Sequence, residues 1–285
     1  MSGGLMTHND LRIHTYTAAE SGILVNSYML ETAETVVLVD ANLLVSDIRA
    51  LAARMIALRK PLRAAFITHG HPDHFNGLPY VAGDHIPVYA AAEVAQEIKD
   101  TAEAKREQWQ PVFGEEWPTV YRVPDHPLED GASVDVDGLR FEVHSVGPAE
   151  SHADSYLLVT SGTGRVAFIG DLAFDGMHSY TADGHSGRWL EVLDRLEREL
   201  DGVPLYPGHG RPGDSSLWTK QRQYLLMYRE AVRRIADGAP ALTDAQKQEL
   251  TDLMSRFLPG AAVPWLVGLG ADAVAAELAG TATDT

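Results

Sequence analysis

The stretch at residues 68–74, Thr-His-Gly-His-Pro-Asp-His, constrains the fold of this chain more than any other. It follows an apolar run at residues 64–67, which is typical of a buried strand. Gly70 and Pro72 interrupt any regular continuation, so we expect the polar side chains on a tight loop where the strand ends. Imidazoles and a carboxylate this close together cannot be buried without polar partners. Because both are ligands that suit zinc, the stretch predicts a metal site.

The pattern His-x-His-x-Asp-His after an apolar strand resembles the signature of the metallo-β-lactamase superfamily. This resemblance implies an α+β fold, a four-layer αββα sandwich with a dinuclear metal site at one edge. It also implies that His69 and His71 bind the first divalent ion, while Asp73 and His74 bind the second. Zinc is the expected metal because most of these ligands are imidazoles, and iron and manganese are alternatives.

The composition restricts the ligands and partners that the chain can use. It contains no cysteine, so disulfides and thiolate ligands are excluded. Its formal charge of −17 repels phosphate backbones, so we expect a small-molecule substrate and no nucleic-acid partner. Residues 1–10 contain neither a basic segment nor an apolar run, and no apolar stretch of about 18 residues occurs elsewhere. We therefore expect a cytoplasmic protein without membrane association.

Apolar runs separated by turn residues predict two groups of strands. These strands are expected at residues 11–17, 23–30, 35–40, 64–67, 87–89, 132–136, 139–145, 155–160, 165–169 and 203–206. Amphipathic patterns predict helices at residues 46–58, 75–81, 91–110, 189–200, 215–237, 243–257 and 266–279. Two runs of strands with intervening helices fit two packed sheets with helices outside.

The C-terminal part of the sequence is expected to be entirely helical. Thr243 and Gln246 have the spacing of a capping box at the start of one of its helices. The sequence contains no convincing linker that would separate this part from the rest. We therefore expect a single domain over residues 1–285, with residues 215–285 as a helical extension packed on the sandwich.

Three positions elsewhere in the chain match further motifs of the same superfamily. Asp40 follows a buried strand; the resemblance implies that it supports the metal ligands from behind, and the alternative is an ordinary turn residue. Asp171 ends the strand-Gly-Asp motif at residues 168–171, and the resemblance implies that its carboxylate bridges both ions. His209 lies between two glycines and matches the motif whose histidine completes the second metal site.

The third motif of the superfamily departs from its usual Gly-His-Thr form. Residues 146–155 read Val-Gly-Pro-Ala-Glu-Ser-His-Ala-Asp-Ser. Either His152 is the ligand after a small insertion, or Glu150 replaces the histidine, as in some members such as alkylsulfatases. Counting from Gly147 favours Glu150, whereas the general preference of metals for imidazole favours His152. Both stay candidates for the first ion, and we favour Glu150.

Two segments are candidates for the substrate pocket. The loop after Asp171 carries Phe174, His178, Tyr180 and His185, which either face the substrate or belong to a solvated loop. A second loop is expected at residues 108–117, with two tryptophans and a phenylalanine. These aromatic residues either wall the pocket or pack beneath the preceding helix.

The resemblance implies a hydrolase in which a hydroxide between two ions attacks a small ester, thioester, lactone or related substrate, as in glyoxalase II-like members. Asp73 is the candidate catalytic residue that orients the water or accepts its proton. A true β-lactamase fits poorly, because those enzymes generally have Cys or Ser where Asp171 stands. A quorum-quenching lactonase fits poorly as well, because Phe174 replaces its tyrosine.

Other functions remain as alternatives. Persulfide dioxygenases of the same superfamily keep the histidine motif and bind a single iron. A nuclease is disfavoured by the acidic composition. A binding module without enzymatic activity is an alternative only if one of the predicted ligand residues does not bind metal. The sequence does not specify the oligomeric state or the substrate.

Overall fold

The computed structural model describes residues 11–162 and 164–281. Within these residues, two β-sheets lie face to face and helices cover their outer surfaces. This arrangement confirms the predicted α+β fold, a four-layer αββα sandwich. The expectation about a signal segment concerned residues 1–10, which lie outside the described part of the chain.

The first sheet has six strands, which are hydrogen-bonded in chain order. They are β1 (Arg12–Thr17), β2 (Asn26–Glu31), β3 (Val36–Val39), β4 (Leu62–Ile67), β5 (Val88–Ala91) and β6 (His126–Leu128). The pairs among β1, β2 and β3 are antiparallel, whereas β3, β4, β5 and β6 are parallel. Because parallel neighbours end at the same edge, the residues after β3 and β4 are brought together.

The second sheet has five strands, again with chain neighbours paired. They are β7 (Ser133–Val136), β8 (Leu139–Gly147), β9 (Asp154–Ser161), β10 (Gly164–Phe174) and β11 (Leu205–His209). All pairs are antiparallel except β10 with β11, which is parallel. The carboxyl ends of β10 and β11 therefore also share one edge.

The core between the sheets is built from alternate residues of the strands, because successive side chains point to opposite faces. Phe141 of β8 stacks on Phe66 of β4, with ring centroids 4.6 Å apart. Phe168 of β10 contacts Tyr28 of β2 at 5.1 Å. The next residue in β10, Ile169, is buried in the second apolar cluster, beneath the helices on the other face. Each sheet is thus buried on both faces, as the long apolar runs predict.

Helices form the two outer layers. Those on the first sheet are α1 (Val45–Ala57), α2 (Pro72–Phe75), α3 (Leu78–Val81) and α4 (Ala92–Phe113). Those on the second sheet are α5 (Ser186–Glu199), α6 (Ser216–Ala236), α7 (Asp244–Phe257), α8 (Trp265–Leu269) and α9 (Ala271–Thr281). Among the described helices, none combines the length and the apolarity that crossing a bilayer requires.

The C-terminal helices share their core with the second sheet. Trp218 of α6 and Leu250 of α7 are fully buried in the same apolar cluster as Ile169 of β10. The predicted capping box starts α7: the Thr243 amide donates to the Gln246 side chain at 2.9 Å, and the Gln246 amide donates to the Thr243 hydroxyl. The C-terminal helices and the second sheet therefore share one apolar cluster, and the single domain stays a prediction.

The predicted loop at residues 108–117 is wrong in its first half, because α4 continues through Pro111 to Phe113. Pro111 lies in the last turn, where its missing N–H removes only one helical hydrogen bond. Trp109 and Phe113 are four residues apart on one face of this turn, with ring centroids 6.1 Å apart, and Phe113 stacks on Trp117 at 5.9 Å. Their packing extends the helix until Gly114, whose φ of 57° ends it.

The predicted helix at residues 75–81 is divided into the short helices α2 and α3. The division falls next to Gly77, where a Cβ atom would lie 1.8 Å from the Ala41 carbonyl oxygen. The Gly77 amide donates instead to the Asn42 carbonyl at 3.2 Å. The turn after the histidine motif is therefore packed directly on the backbone that follows β3.

Candidate metal centre

The histidine-rich loop after β4 is hydrogen-bonded to the second sheet. His69 forms an isolated β-bridge with Asp154, the first residue of β9. The next residue, Ser155, donates both its amide (3.2 Å) and its hydroxyl (2.6 Å) to the Thr68 carbonyl. A second bridge, between Val25 and His209, joins the end of β11 to the first sheet. The loop and the ends of β10 and β11 therefore meet at the same edge of the sandwich.

The first group of candidate ligands consists of His69, His71 and Glu150, which are all buried. The Glu150 Oε2 atom lies 3.0 Å from His71 Nδ1 and 3.6 Å from His69 Nε2. Two histidines from the loop after β4 thus face a carboxylate from the turn between β8 and β9.

The second group consists of Asp73, His74, Asp171 and His209, also buried, with one ligand atom of each within 4.8 Å of the others. Asp73 Oδ2 lies 3.2 Å from His74 Nε2 and 3.1 Å from His209 Nε2. Asp171 presents Oδ1 to His74 at 3.4 Å and Oδ2 to His209 at 3.3 Å. The two groups adjoin, because the rings of His69 and His74 are 4.0 Å apart.

The ring nitrogens that face away from the groups are held by protein acceptors. His74 Nδ1 is 2.8 Å from Asp40 Oδ2. Asp40 also accepts hydrogen bonds from the Thr68 amide and hydroxyl at 3.0 and 2.9 Å. The Thr68 hydroxyl in turn lies 3.1 Å from His69 Nδ1. Asp40 therefore orients a histidine in each group, one directly and the other through Thr68.

The two remaining histidines have their own supports. His71 Nε2 is 3.0 Å from Asp183, a residue of the segment between β10 and α5. His209 Nδ1 lies 2.9 Å from the carbonyl oxygen of Ile23, whose φ of 54° is in the left-handed region. All four imidazoles thus have one nitrogen fixed and the other directed at the carboxylates, which is the usual arrangement of metal-binding histidines.

Several atoms that point into the groups make no well-aligned hydrogen bond with the described residues, although the nearest nitrogen and oxygen atoms of the groups are 3.0–3.6 Å apart. They are His69 Nε2, His74 Nε2, both carboxylate oxygens of Glu150 and Asp171 Oδ1. Buried polar atoms without partners are rare in folded proteins, since leaving one unpaired costs about 1–3 kcal/mol. Neutral imidazole and carboxylate ligands fit a divalent cation, and such an ion would satisfy these atoms together.

The carboxylates of the two groups differ in their electrostatics. Burial raises the pKa of Glu150 well above its ordinary value, although the neighbouring His71 acts in the opposite direction. Burial also raises the pKa of Asp154, behind the first group, to about 7. For Asp171 burial acts the same way, but His209 and His74 outweigh it and hold its pKa well below the usual range. Three buried carboxylates in the two groups need positive charge nearby, which divalent ions would supply.

Tight packing surrounds Asp171. A Cβ atom on Gly208 would lie 2.0 Å from Asp171 Oδ1 and 2.7 Å from His74 Cε1. The glycine before His209 is therefore required because its backbone approaches the second group closely. This gives a physical reason for the first glycine in the Gly-His-Gly sequence.

Comparison with protein families agrees with this geometry. Residues 22–209, more than half of the chain, match the profile described as the metallo-beta-lactamase superfamily. The chain belongs to the metallo-beta-lactamase superfamily. The matched segment contains every residue of the two ligand groups. Superfamily membership and the ligand groups together support a metal-dependent hydrolase.

Solved structures share the superfamily fold at low sequence identity. A metallo-beta-lactamase from Pontibacter korlensis is 22% identical with a TM-score of 0.60, covering 79% of this chain and 97% of that protein. A beta-lactamase domain protein from Burkholderia ambifaria is 19% identical with a TM-score of 0.64, covering 94% and 87%. At these identities the likeness concerns the fold alone. No curated protein sequence matches the chain.

The third superfamily motif brings Glu150, and not His152, to the other ligands. The side chain of His152 is 55% exposed, and its Nδ1 atom lies 2.7 Å from His185 Nε2. The backbone turn explains the difference, because the Ser151 amide donates to Asp154 Oδ2 at 2.8 Å and directs residue 152 outward. The turn therefore leaves His152 outside the first group.

A cavity that is open to solvent adjoins the two groups. Its inner end is formed by His71, Asp73, Glu150, Asp171 and His209. The other lining residues are mostly apolar: Ile23, Leu43, Pro72, Trp109, Phe113, Trp117, Phe174, Met177, Trp265, Leu266 and Leu269, together with Lys105 and Tyr180. The site is therefore an apolar cavity with its polar groups at one end, as is usual for small-molecule sites.

Only two of the four pocket residues expected after Asp171 line this cavity. Phe174 stacks on the His209 ring at 5.3 Å, and Tyr180 contacts the His71 ring at 4.9 Å. His178 is not among the lining residues; it is buried against Tyr224, 3.2 Å from its hydroxyl. His185, which pairs with His152, does not line the cavity either. A pattern of polar residues in a loop could not distinguish these directions.

Sequence reasoning missed three residues of the site. Asp183 was one of several polar residues in a loop and carried no motif of its own. Trp265 lies outside the residues that the superfamily profile matches. The sequence does contain a pattern that indicates Lys105. Lys105, Trp109 and Phe113 are spaced four residues apart, which places them on one face of a helix.

Proposed function

We propose that this protein hydrolyses a small ester, thioester, lactone or related substrate with the help of two divalent metal ions. The ligands proposed for the first ion are His69, His71 and Glu150, and those for the second are Asp73, His74 and His209. Asp171 would bridge the two, because it lies in the second group and its Oδ1 atom has no other partner among the described residues. His152 is left out of this assignment because its side chain is exposed and paired with His185.

The observation that carries this proposal is the pair of adjoining ligand groups at the inner end of one cavity. A mononuclear iron enzyme, such as a persulfide dioxygenase, would need only one of the two ligand groups. A nuclease fits less well, because the cavity is lined with apolar side chains and the chain has a formal charge of −17. Zinc fits the four imidazoles best, although carboxylates also suit manganese or iron.

Divalent ions, when bound, lower the pKa of a coordinated water and polarise an acyl oxygen. The residues of the chain then have separate tasks. Asp73 is proposed to orient the attacking water and to accept its proton, because its carboxylate lines the cavity. It would do so as the anion, since His74 and His209 outweigh the effect of burial and hold its pKa well below the usual value. The apolar walls exclude bulk water and hold the substrate.

The test combines metal analysis with a panel of esters, thioesters, lactones and one β-lactam, measured on the same preparation. We expect about two divalent ions per chain and hydrolysis that is lost after chelation and restored by zinc. The β-lactam is expected to be the poorest substrate. One iron per chain with oxygen uptake would instead identify an oxidoreductase, and a protein that binds no metal would disprove the proposal.

A further inference from the structure

The outer part of the cavity is formed by one face of α4. Lys105, Trp109 and Phe113 lie four residues apart along this helix, and all three line the cavity. Trp117 follows them and is stacked on Phe113. Three aromatic rings, those of Trp109, Phe113 and Trp117, therefore form part of one wall of the cavity.

The lining next to α4 comes from the C-terminal helices. Trp265, Leu266 and Leu269 of α8 all line it, and the rings of Trp265 and Trp109 are 6.4 Å apart. Trp265 is 47% exposed and Leu269 is 37% exposed, so both present apolar surface where the cavity opens. Exposed large apolar residues beside a cavity often mark a binding surface.

This outer region offers no free charge to a substrate. Lys105 is the one cationic side chain lining the cavity in the described part of the chain, and its Nζ atom lies 3.8 Å from Asp183. The same ammonium group lies 5.8 Å from the centre of the Tyr180 ring. Because Lys105 is already paired, an anionic group on the outer part of a substrate would have no unpaired cation to bind.

We propose that the cavity selects substrates whose non-reacting part is a bulky, uncharged apolar group, either an aromatic ring or an alkyl chain, held against the wall that α4 and α8 form together. This inference rests on the proposed function, because it assumes that the scissile bond lies at the metal groups. It assigns the substrate's apolar group to the joint surface of Trp109 and Trp265, whose rings contact each other. The C-terminal extension is then part of the binding site as well as of the core.

The energetic consequence is a dependence of affinity on the size of the apolar group. Burying one methylene group contributes about 0.8 kcal/mol, which corresponds to roughly a fourfold gain in affinity. We expect such a gain for each added methylene until the alkyl chain covers the apolar wall formed by α4 and α8. Further methylenes would remain in water and add nothing.

Binding can be measured without any hydrolysis by using uncharged amides. A series from N-methylacetamide to N-octylacetamide, titrated calorimetrically into the full-length metal-loaded protein, should show affinity increasing with chain length. Trp265→Ala and Trp109→Ala should each weaken the binding of N-hexylacetamide about tenfold or more, since burial against an aromatic ring is lost. N-methylacetamide should bind equally to all variants.

Two exposed residues provide matched controls. Phe257→Ala removes an aromatic ring from α7, where Phe257 is 41% exposed and does not line the cavity. Val112→Ala removes apolar surface from α4 at a position that is 67% exposed and also outside the cavity. Neither should change the binding of N-hexylacetamide by more than about twofold. Equal circular dichroism spectra and melting temperatures would show that all four variants are folded.

The outcomes separate this inference from the proposed function. Chain-length-dependent binding without hydrolysis of any ester would support the inference while the proposed function fails. Hydrolysis of short and long acyl esters at equal kcat/KM, with no effect of Trp109→Ala or Trp265→Ala, would overturn the inference and leave the proposed function intact. Tighter binding of 6-acetamidohexanoic acid, which keeps the acetamide and ends its alkyl chain in a carboxylate, than of N-hexylacetamide would also overturn it.

Discussion

The two ligand groups lie side by side but are built differently. The second group contains two carboxylates, and the pKa values of Asp73 and Asp171 are held low by the histidines beside them. The first group has a single carboxylate, and burial raises the pKa of Glu150 well above its ordinary value. Without an ion, the histidines of the second group thus favour its ionised carboxylates, whereas burial in the first group favours the protonated form of Glu150.

The supports of the two groups differ as well. His74 and His209 of the second group are held by Asp40, directly after β3, and by the Ile23 carbonyl. In the first group, His71 is held by Asp183, which comes from the segment between β10 and α5. Each group thus has one histidine held by a residue directly after a strand and one held by a connecting segment, the turn at Ile23 for the second group and the segment of Asp183 for the first. We expect substitutions in the first group to weaken the binding of the first ion and to leave the second ion bound.

The largest effect should come from Asp171, which is proposed to serve both groups. Asp171→Asn removes one negative charge where the two groups adjoin, so the binding of both ions should weaken. We expect kcat/KM to fall more than about a hundredfold. Loss of a residue that only hydrogen-bonds a metal ligand typically costs about 10–100-fold, and Asp171 is proposed to be a ligand itself. Metal analysis and ester hydrolysis on the same preparation measure both effects.

Asp175→Asn is the matched control for this change. Asp175 lies four residues further along and pairs with Arg211 and Lys220 near the surface. Its removal should change neither the metal content nor kcat/KM appreciably, because exposed ion pairs contribute about 1 kcal/mol or less. If Asp171→Asn kept two ions and full activity, Asp171 would not be a shared ligand.

The next largest effect separates the two candidates of the third motif. Glu150→Gln should lower the metal content from two ions per chain toward one, because only the first group loses its carboxylate. His152→Ala should keep both ions, since the side chain of His152 is 55% exposed and faces His185. The opposite result, with metal lost only from His152→Ala, would show that the loop rearranges and that the histidine is the ligand.

The smallest effect should come from the support of His71. Asp183→Asn weakens the acceptor at His71 Nε2 and should reduce the affinity for the first ion, or the activity, by about 10–100-fold. Tyr180→Phe removes only the hydroxyl that donates to Asp183 at 3.0 Å, a hydrogen bond of about 1 kcal/mol, and should cost less than tenfold. Titration of the apo variants with zinc distinguishes these losses. If neither Asp183→Asn nor Tyr180→Phe changed the affinity for zinc, the first group would not depend on the segment between β10 and α5.

The sequence predicted those parts of the site that depend on local patterns. The loop at residues 68–74 and Asp40 follow strands and His209 ends one, so the direction of the sheets brings them together. Asp171 was expected after the strand at residues 165–169, but it lies inside β10, which continues to Phe174. The alternation of apolar residues likewise predicted the two sheets. Such features need only a few neighbouring residues to be recognised.

What the sequence could not predict depends on the path of connecting segments. The spacing from Gly147 favoured Glu150 over His152 without excluding the imidazole, and only the path of the turn, in which the Ser151 amide donates to Asp154, shows that His152 faces outward. His178 and Asp183 come from one segment, yet only Asp183 reaches a ligand. The continuation of α4 past Pro111 depends on aromatic contacts that are tertiary in origin. No local pattern contains this information.

The β-bridges from His69 to Asp154 and from Val25 to His209 have a consequence for stability. Each ligand group takes side chains from both sheets, so an ion held there is a cross-link between the two halves of the sandwich. The halves cannot separate while the ion stays bound, and the unfolded chain has no preformed site for it. The free energy of unfolding should therefore increase with the logarithm of the free metal concentration, so that thermal denaturation becomes a measure of site occupancy.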